Sequence, residues 1–231
     1  SVSSHTSAAL HGMAFSDERT GVAVGGDDRR WRAAQVELHT TDGGATWEKL
    51  TPFSDARLYA VSGAPGNFAA VGDGGTVLKS ADGGAEWARH ATVRSRAWMS
   101  GVSFGDAQHG VIVGADGLVQ RTTDGGAKWS GMRDGPAGAM LGPAGAMFGP
   151  AFSGPAGSIF GAATPEPGVV VAGGNQLLRS TDGGMHFTPS QVSAGRGGRV
   201  GAGGRGRGSA GTFMRSMAFA SGKVGVAVGS R

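Results

Sequence analysis

The sequence predicts an all-β chain that folds as a β-propeller of four-stranded antiparallel blades. The main observation is a Ser/Thr-x-Asp-Gly-Gly-x-x-aromatic phrase that occurs four times, with its aspartates 40, 42 and 58 residues apart. A period near 40 residues is typical of one four-stranded sheet per repeat. A short apolar run ending in glycine, such as 21–25, precedes each phrase, as expected for a buried strand. The phrases, here called the DGG turns, are Thr40 to Trp47, Ser80 to Trp87, Thr122 to Trp129 and Ser180 to Phe187.

Each DGG turn has the chemistry of a tight hairpin turn. Glycine adopts positive φ without strain, and an aspartate can accept hydrogen bonds from backbone N–H groups of its own turn. The aromatic residue that follows is placed to pack between neighbouring sheets, where burial contributes roughly 1.5–3 kcal/mol. We therefore predict structural roles for Asp42, Asp82, Asp124 and Asp182, and for Trp47, Trp87, Trp129 and Phe187.

The repeats align into a single domain over 1–231, with about five blades at 8–50, 57–91, 97–132, 157–190 and 213–231. In the second blade we predict strands at Leu58 to Val61, Phe68 to Val71, Thr76 to Lys79 and Glu86 to Arg89. The fifth blade reaches Arg231 before any DGG turn. We expect it to be incomplete or to be closed by a strand from residues 1–10, unless the chain is a piece of a longer one. Two low-complexity inserts, 133–156 and 191–212, interrupt the repeats.

The DGG phrase resembles the Asp-box, or BNR repeat, of sialidases, sortilin-type receptors and photosystem II stability/assembly factors. Together with runs such as Gly21-Val-Ala-Val-Gly25, it resembles the photosystem II assembly-factor propellers most closely. That resemblance implies a noncatalytic propeller in the thylakoid lumen of a chloroplast or cyanobacterium, or otherwise an extracytoplasmic one. It implies a scaffold that holds the lumen-facing part of the D1 protein during assembly. Members of that family usually close with about seven blades, more than the repeats seen here.

Basic residues accumulate in the loops on the face opposite the DGG turns. In a four-stranded blade, the loop between the second and third strands and the connection to the next blade lie on that face. The predicted insertions 26–36, 133–156 and 191–212 all fall on that face. Binding residues often lie on long loops of this kind. Arginine forks suit carboxylates and phosphates, so we predict docking of an acidic protein segment there. The alternative is that these arginines only keep the surface soluble and bind no partner. The predicted partner-binding residues are Arg29, Arg30, Arg32, Arg94, Arg96 and Arg133.

Other function classes are less well supported by the residues. A sialidase-like glycoside hydrolase would use Tyr59, the only tyrosine, with Arg57, Arg94 and Arg215 near the blade starts. We predict no catalytic residues, but this alternative stays open, as does a stable structural subunit of a large complex. Short Arg-Gly segments within 196–208 resemble RNA-binding tracts but lack interleaved aromatic residues, so nucleic acid is not the expected partner.

The composition predicts no cofactor and no membrane span. The chain has no cysteine, and its six histidines are not at metal-ligand spacing, so we predict no metal site. No apolar run approaches the roughly 18 residues that a membrane-spanning helix needs. Peripheral membrane association through the Met-rich insert at 133–156 stays open, as does the oligomeric state.

Overall fold

The all-β architecture is confirmed by the computed structural model. It describes residues 6–26, 35–52, 55–90, 98–115, 118–131, 161–166, 168–173, 177–184, 187–190, 213–221 and 224–230. These residues form four antiparallel sheets of four strands and one sheet of two strands. Strands in each sheet pair in chain order, and the first strand of each sheet contacts the first strand of the next. The sheets therefore follow one another as the blades of a propeller.

The strand bounds follow the repeats. The first sheet contains β1 (Ala9–Phe15), β2 (Gly21–Gly26), β3 (Gln35–Thr40) and β4 (Glu48–Lys49). The second contains β5 (Leu58–Ala64), β6 (Asn67–Gly72), β7 (Val77–Ser80) and β8 (Ala88–Arg89), with a 3-10 turn at Asp73–Gly75. The third contains β9 (Met99–Phe104), β10 (Gly110–Gly114), β11 (Val119–Thr122) and β12 (Ser130–Gly131). The fourth contains β13 (Gly161–Glu166), β14 (Val169–Gly173), β15 (Leu177–Ser180) and β16 (Thr188–Pro189), and the fifth β17 (Phe213–Ser221) and β18 (Val224–Ser230).

Two of the sequence-based boundaries that differ from the structure are explained by hydrogen bonds. The fourth strand of the second sheet is Ala88–Arg89, shorter than the predicted Glu86 to Arg89. The N–H of Glu86 donates to the Asp82 carboxylate at 3.1 Å, so it is not available to the sheet. In the first sheet, β2 and β3 remain paired as far as Gly26 and Gln35, which shortens the predicted 26–36 loop to 27–34, outside the described residues.

The glycine that ends each apolar run is required by close approach of the backbone. A Cβ on Gly72 would lie 1.9 Å from the carbonyl oxygen of Arg57, and one on Gly25 would lie 2.0 Å from that of Ala9. In both sheets the first strand has an irregular register at this point, which brings its carbonyl over the end of the second strand. The repeated glycine is therefore a steric requirement of the blade.

The hydrophobic core consists of layers between consecutive sheets. Val22 and Val24 of the first sheet pack with Phe68, Leu78 and Trp87 of the second. The next two layers are built in the same way, from the second and third sheets and from the third and fourth. Each pair of neighbouring sheets among the first four is thus held by its own apolar layer.

On one side of the first sheet the first strand is exposed, whereas Ala23, Val36 and Leu38 of the second and third strands are buried. Leu10, Met13 and Phe15 are 43%, 63% and 38% exposed. In the second sheet, Leu58 and Val61 occupy the positions that correspond to Leu10 and Met13. Both are buried. We call the side with Leu10, Met13 and Phe15 the leading face of the first sheet.

The expectation that a strand from residues 1–10 closes the fifth sheet stays a prediction. Ala9 and Leu10 pair with Gly26 and Gly25, within the predicted first blade 8–50. Residues 1–5 lie outside the described part of the chain. Among the residues that the structure describes, there is no helix with the length and apolarity of a membrane span.

Candidate functional site

The DGG turns are clamped by a hydroxyl and a carboxylate. The Ser80 hydroxyl donates to Asp82 Oδ1 at 2.7 Å and accepts the N–H of Gly84 at 2.8 Å. Gly84 has φ of +97°, which favours glycine. The Ser80 hydroxyl and the Glu86 N–H together hold the pKa of Asp82 below its usual range. The same hydroxyl–carboxylate distance is 2.7 Å at Thr40, 2.7 Å at Thr122 and 2.6 Å at Ser180.

The aromatic residues of the DGG turns lie between sheets. Trp87, Trp129 and Phe187 are buried in the layers that join their own sheet to the preceding one. Trp47 is half-buried and packs against Ala23, Val36 and Leu38 of its own sheet. The aspartates and aromatic residues are thus engaged in turns and packing, an arrangement that suits a structural role.

The predicted partner-binding arginines lie outside the described residues. Arg29, Arg30 and Arg32 belong to the segment 27–34, Arg94 and Arg96 to 91–97, and Arg133 to 132–160. The described strands that flank these segments show where they attach. The segment 27–34 leaves β2 at Gly26, the strand end opposite the DGG turn, and 91–97 leads directly into Trp98 before β9.

An ion pair lies at this same end of the second sheet. The Arg57 Nε donates to Asp73 Oδ2 at 2.9 Å, and the Tyr59 hydroxyl donates to Asp73 Oδ1 at 3.0 Å. The Asp73 N–H donates to the Arg57 carbonyl at 3.0 Å, which fixes the turn against the first strand. All three side chains are half-buried. The site therefore holds two polar groups on one carboxylate, at the boundary between core and solvent.

Tyr59 also joins an aromatic row across three consecutive sheets. Its ring centroid is 5.6 Å from that of His11 in β1 and 5.7 Å from that of Trp98 before β9. The Trp98 ring is nearly perpendicular to Tyr59, at 86°, an edge-to-face geometry. His11 is exposed, while Tyr59 and Trp98 are half-buried. We call His11, Tyr59 and Trp98 the aromatic strip.

The aromatic strip offers a surface for recognition. Partly exposed Tyr and Trp beside an arginine are the residue types enriched at the centres of protein interfaces. In the described part of the chain, no group of three His, Cys, Asp or Glu residues is placed to hold a metal ion. The hydroxyl–carboxylate contact at Tyr59 is a feature that a sialidase-like site would also need. However, Arg57 is engaged with Asp73, and Arg94 and the Arg215 side chain lie outside the described residues.

Sequence reasoning missed His11, Asp73 and Trp98 as members of a site. A signal was present for one of them. His11 and Tyr59 each follow the leucine that pairs with the glycine at the end of the apolar run. Asp73 lies in the 3-10 segment Asp73–Gly75. Its contact with Tyr59 depends on how β5 meets the turn, which the sequence does not encode locally.

Comparison with known proteins gives matches at the level of structure. No protein-family model matches the chain, and no curated protein matches its sequence. Among solved structures, YCF48 from Cyanidioschyzon merolae superposes with a TM-score of 0.60 at 20% identity, over 93% of this chain and 61% of that one. A structure of YCF48 bound to a D1 peptide gives a TM-score of 0.50 at 18% identity, over 97% of this chain and 91% of that one.

Propellers of other functions also match. The GH74 xyloglucanase from Xanthomonas campestris superposes with a TM-score of 0.51 at 14% identity, over 95% of this chain and 43% of that one. This chain therefore spans 61% of the length of the Cyanidioschyzon protein and less than half of the xyloglucanase. At these identities the likenesses show the fold, and that fold is a β-propeller.

Proposed function

We propose that this chain is a noncatalytic, protein-binding propeller that acts as an assembly or stability factor for a membrane protein complex of the photosystem II kind. The observation that carries the proposal is the aromatic strip beside the Arg57–Asp73 ion pair. The likeness to YCF48, a photosystem II assembly factor whose structure with a D1 peptide is among the matches, supports it. The DGG turns then act as Asp-box elements of the scaffold, with no direct part in binding.

The strip has the dimensions of a peptide site. Residues i and i+2 of an extended peptide lie about 6.6 Å apart on one side of the backbone, close to the 5.6 and 5.7 Å between ring centroids in the strip. An extended segment laid across the three sheets would place alternate side chains against successive rings. Rings contribute contact area at little cost in side-chain entropy.

Charge would select an acidic partner. Arg94 and Arg96 directly precede Trp98 in sequence, and the segment with Arg29, Arg30 and Arg32 leaves the same end of the first sheet. Arginine pairs bidentately with carboxylates, and clustered positive charge speeds the approach of an acidic segment. The partner we propose is a lumen-facing segment of a D1-type subunit, and the location is the thylakoid lumen or another extracytoplasmic compartment.

The test is a binding titration with a fluorescently labelled peptide from the lumen-facing part of D1. We expect Tyr59→Ala and Trp98→Ala each to weaken binding at least about tenfold, because truncation of a central interface aromatic usually costs more than 1 kcal/mol. Phe15→Ala, which removes an exposed aromatic residue at the opposite end of β1, is the matched control. Wild-type affinity in both strip variants, at unchanged melting temperature, would refute the proposed site.

The contribution of charge is tested separately. Reversal of Arg29, Arg30 and Arg32 to glutamate should weaken binding of the same peptide and reduce its dependence on salt, with the melting temperature unchanged. If affinity and salt dependence both stay at wild-type values, the acidic-partner part of the proposal is wrong, whereas the strip itself is judged by the aromatic variants.

A sialidase-type glycoside hydrolase is the second candidate, and the Tyr59–Asp73 contact at 3.0 Å is the observation that favours it. A tyrosine nucleophile needs a neighbouring carboxylate to take its proton. The assay is release of fluorophore from an aryl sialoside. Turnover that disappears in Tyr59→Phe would establish the hydrolase, and the absence of turnover at high enzyme concentration would leave the binding propeller.

A further inference from the structure

A cleft of about 240 Å³ lies between the third and fourth sheets, at the end of the blades that carries the DGG turns. It is on the opposite end from the aromatic strip. Its lining includes Arg121, Thr122, Thr164, Val170 and Gly183. The corresponding cleft between the second and third sheets, lined by residues in matching positions, measures only about 10 Å³. The two interfaces are built on the same plan, so the difference has a local cause.

The cause is the loss of an aromatic ring at Thr164. In the third sheet the N–H of Phe104 donates to Ser62 of the preceding sheet at 3.1 Å, and in the fourth the N–H of Thr164 donates to Ser103 at 3.0 Å. Thr164 thus occupies the position of Phe104. The Phe104 ring fills the space beside Trp129, with centroids 5.8 Å apart. The Thr164 hydroxyl instead lies 2.8 Å from the Ser103 hydroxyl, which leaves the place of the ring empty.

One cationic group of the cleft has no partner in the described chain. Arg121 is half-buried, and its guanidinium makes no hydrogen bond or ion pair with another described residue. Its Nη1 lies 4.0 Å from the position of a Cβ on Gly183, so the group reaches the DGG turn of the next sheet. At the same register in the first sheet, His39 Nε2 lies 3.1 Å from the Gly83 carbonyl oxygen. The equivalent contact is not made by Arg121.

The acidic side chains that are described at this cleft are already engaged. Asp182 accepts the Ser180 hydroxyl at 2.6 Å, which directs its carboxylate into its own turn. Asp106 accepts the imidazole of His109 at 3.0 Å. The guanidinium of Arg121 is therefore the charged group that the cleft offers to a ligand.

We propose that this cleft binds an organic carboxylate with an aromatic or branched apolar body. The body would occupy the place that phenylalanine fills at the preceding interface, and the carboxylate would pair with Arg121 through two parallel N–H···O hydrogen bonds. The opening of the cleft is lined by backbone without side chains, at Gly105, Gly110, Gly168 and Gly183. Such a carboxylate is carried either by a free acid or by the C-terminal residue of a peptide. The site is independent of the proposed protein-docking function.

The test is calorimetric or NMR titration of the intact protein with 3-phenylpropionate. We expect binding, and at least tenfold weaker binding of 3-phenylpropanol, which keeps the ring and lacks the charge. Gly-Gly-Phe with a free carboxylate and its C-terminal amide form the second arm. If the free tripeptide binds more tightly than 3-phenylpropionate, the ligand is a peptide C-terminus, and if it binds less tightly, the ligand is a small acid.

Variants locate the binding. Arg121→Gln should weaken 3-phenylpropionate binding at least tenfold with the melting temperature unchanged. Thr164→Phe should abolish binding and raise the melting temperature, because the ring fills the cleft. Lys79→Gln changes the corresponding residue at the filled interface and should have no effect. The proposal is overturned if the wild type binds no probe, or if Arg121→Gln binds like the wild type. If Thr164→Phe does not fold, the result with Arg121→Gln decides alone.

Discussion

Glu37 is a buried carboxyl group whose replacement should change how stability depends on pH. Its side chain lies in β3 and is 1% exposed. The Gln35 amide donates to one carboxyl oxygen, whereas the other, Oε2, has no hydrogen-bond partner in the described structure. Burial raises the pKa of Glu37 from 4.5 to about 7, with the Gln35 hydrogen bond acting in the opposite direction. The folded protein therefore holds a proton on Glu37 that the unfolded chain releases.

The size and sign of the effect follow from that pKa. Because the folded pKa is raised, the contribution to stability is complete below pH 4.5 and is lost as the pH rises to about 7. Each pKa unit corresponds to about 1.4 kcal/mol, so the total loss is about 3 kcal/mol. Glu37→Gln keeps the shape and removes the ionisation. Relative to the variant, the wild type should lose about 3 kcal/mol of unfolding free energy between pH 4.5 and 8.

Urea denaturation at half-unit steps from pH 4.5 to 8, followed by tryptophan fluorescence, measures this difference. Glu48→Gln removes an exposed carboxylate from the same sheet and corrects for the change in net charge. Parallel stability curves for the wild type and Glu37→Gln would refute the reasoning, since they would mean that Glu37 has the same proton affinity in the folded and unfolded chain.

Two further changes test how the blades are held together. Ser80→Ala should lower the unfolding free energy by about 1–3 kcal/mol, because the buried N–H of Gly84 loses its acceptor. Urea denaturation measures this free energy, and a change below about 0.5 kcal/mol would contradict the stabilising role of the Ser80 hydroxyl. Gln120→Leu should raise the unfolding free energy by about 1 kcal/mol, because Gln120 Oε1 is buried without a partner in the described structure, and Leu78 occupies the same register position in the second sheet. A lower melting temperature in this variant would show that the amide is satisfied.

The fold was predictable because its determinants are local and repeated. The DGG turn and the apolar run ending in glycine each encode a strand connection within a few residues, and four copies give the same answer. The boundaries that were wrong depend on hydrogen bonds formed only in the folded chain, such as the one from Glu86 to Asp82 and those that pair Gly26 with Gln35. Local patterns therefore predict the blade more accurately than its strand ends.

The candidate site was much less predictable, because it depends on contacts between sheets. Consecutive members of the aromatic strip, His11, Tyr59 and Trp98, are 48 and 39 residues apart along the chain and meet only where three consecutive sheets lie side by side. The cleft at Thr164 is a departure from the repeat, and its effect is visible only when Thr164 and Phe104 are compared in register. The roles proposed from sequence for Arg29 and its neighbours remain predictions.

The exposed first strand of the first sheet has a consequence for the order in which the blades open. In an array of similar units, each unit is stabilised mainly by the interfaces with its neighbours. On the leading face of the first sheet, Leu10 and Met13 of β1 are exposed, whereas Leu58 and Val61 at the same positions of β5 are buried. Amide hydrogens of β1 should therefore exchange with solvent sooner than those of β5. Opening would then begin at β1, and a ligand that covered Met13 would slow exchange there before it changed exchange elsewhere.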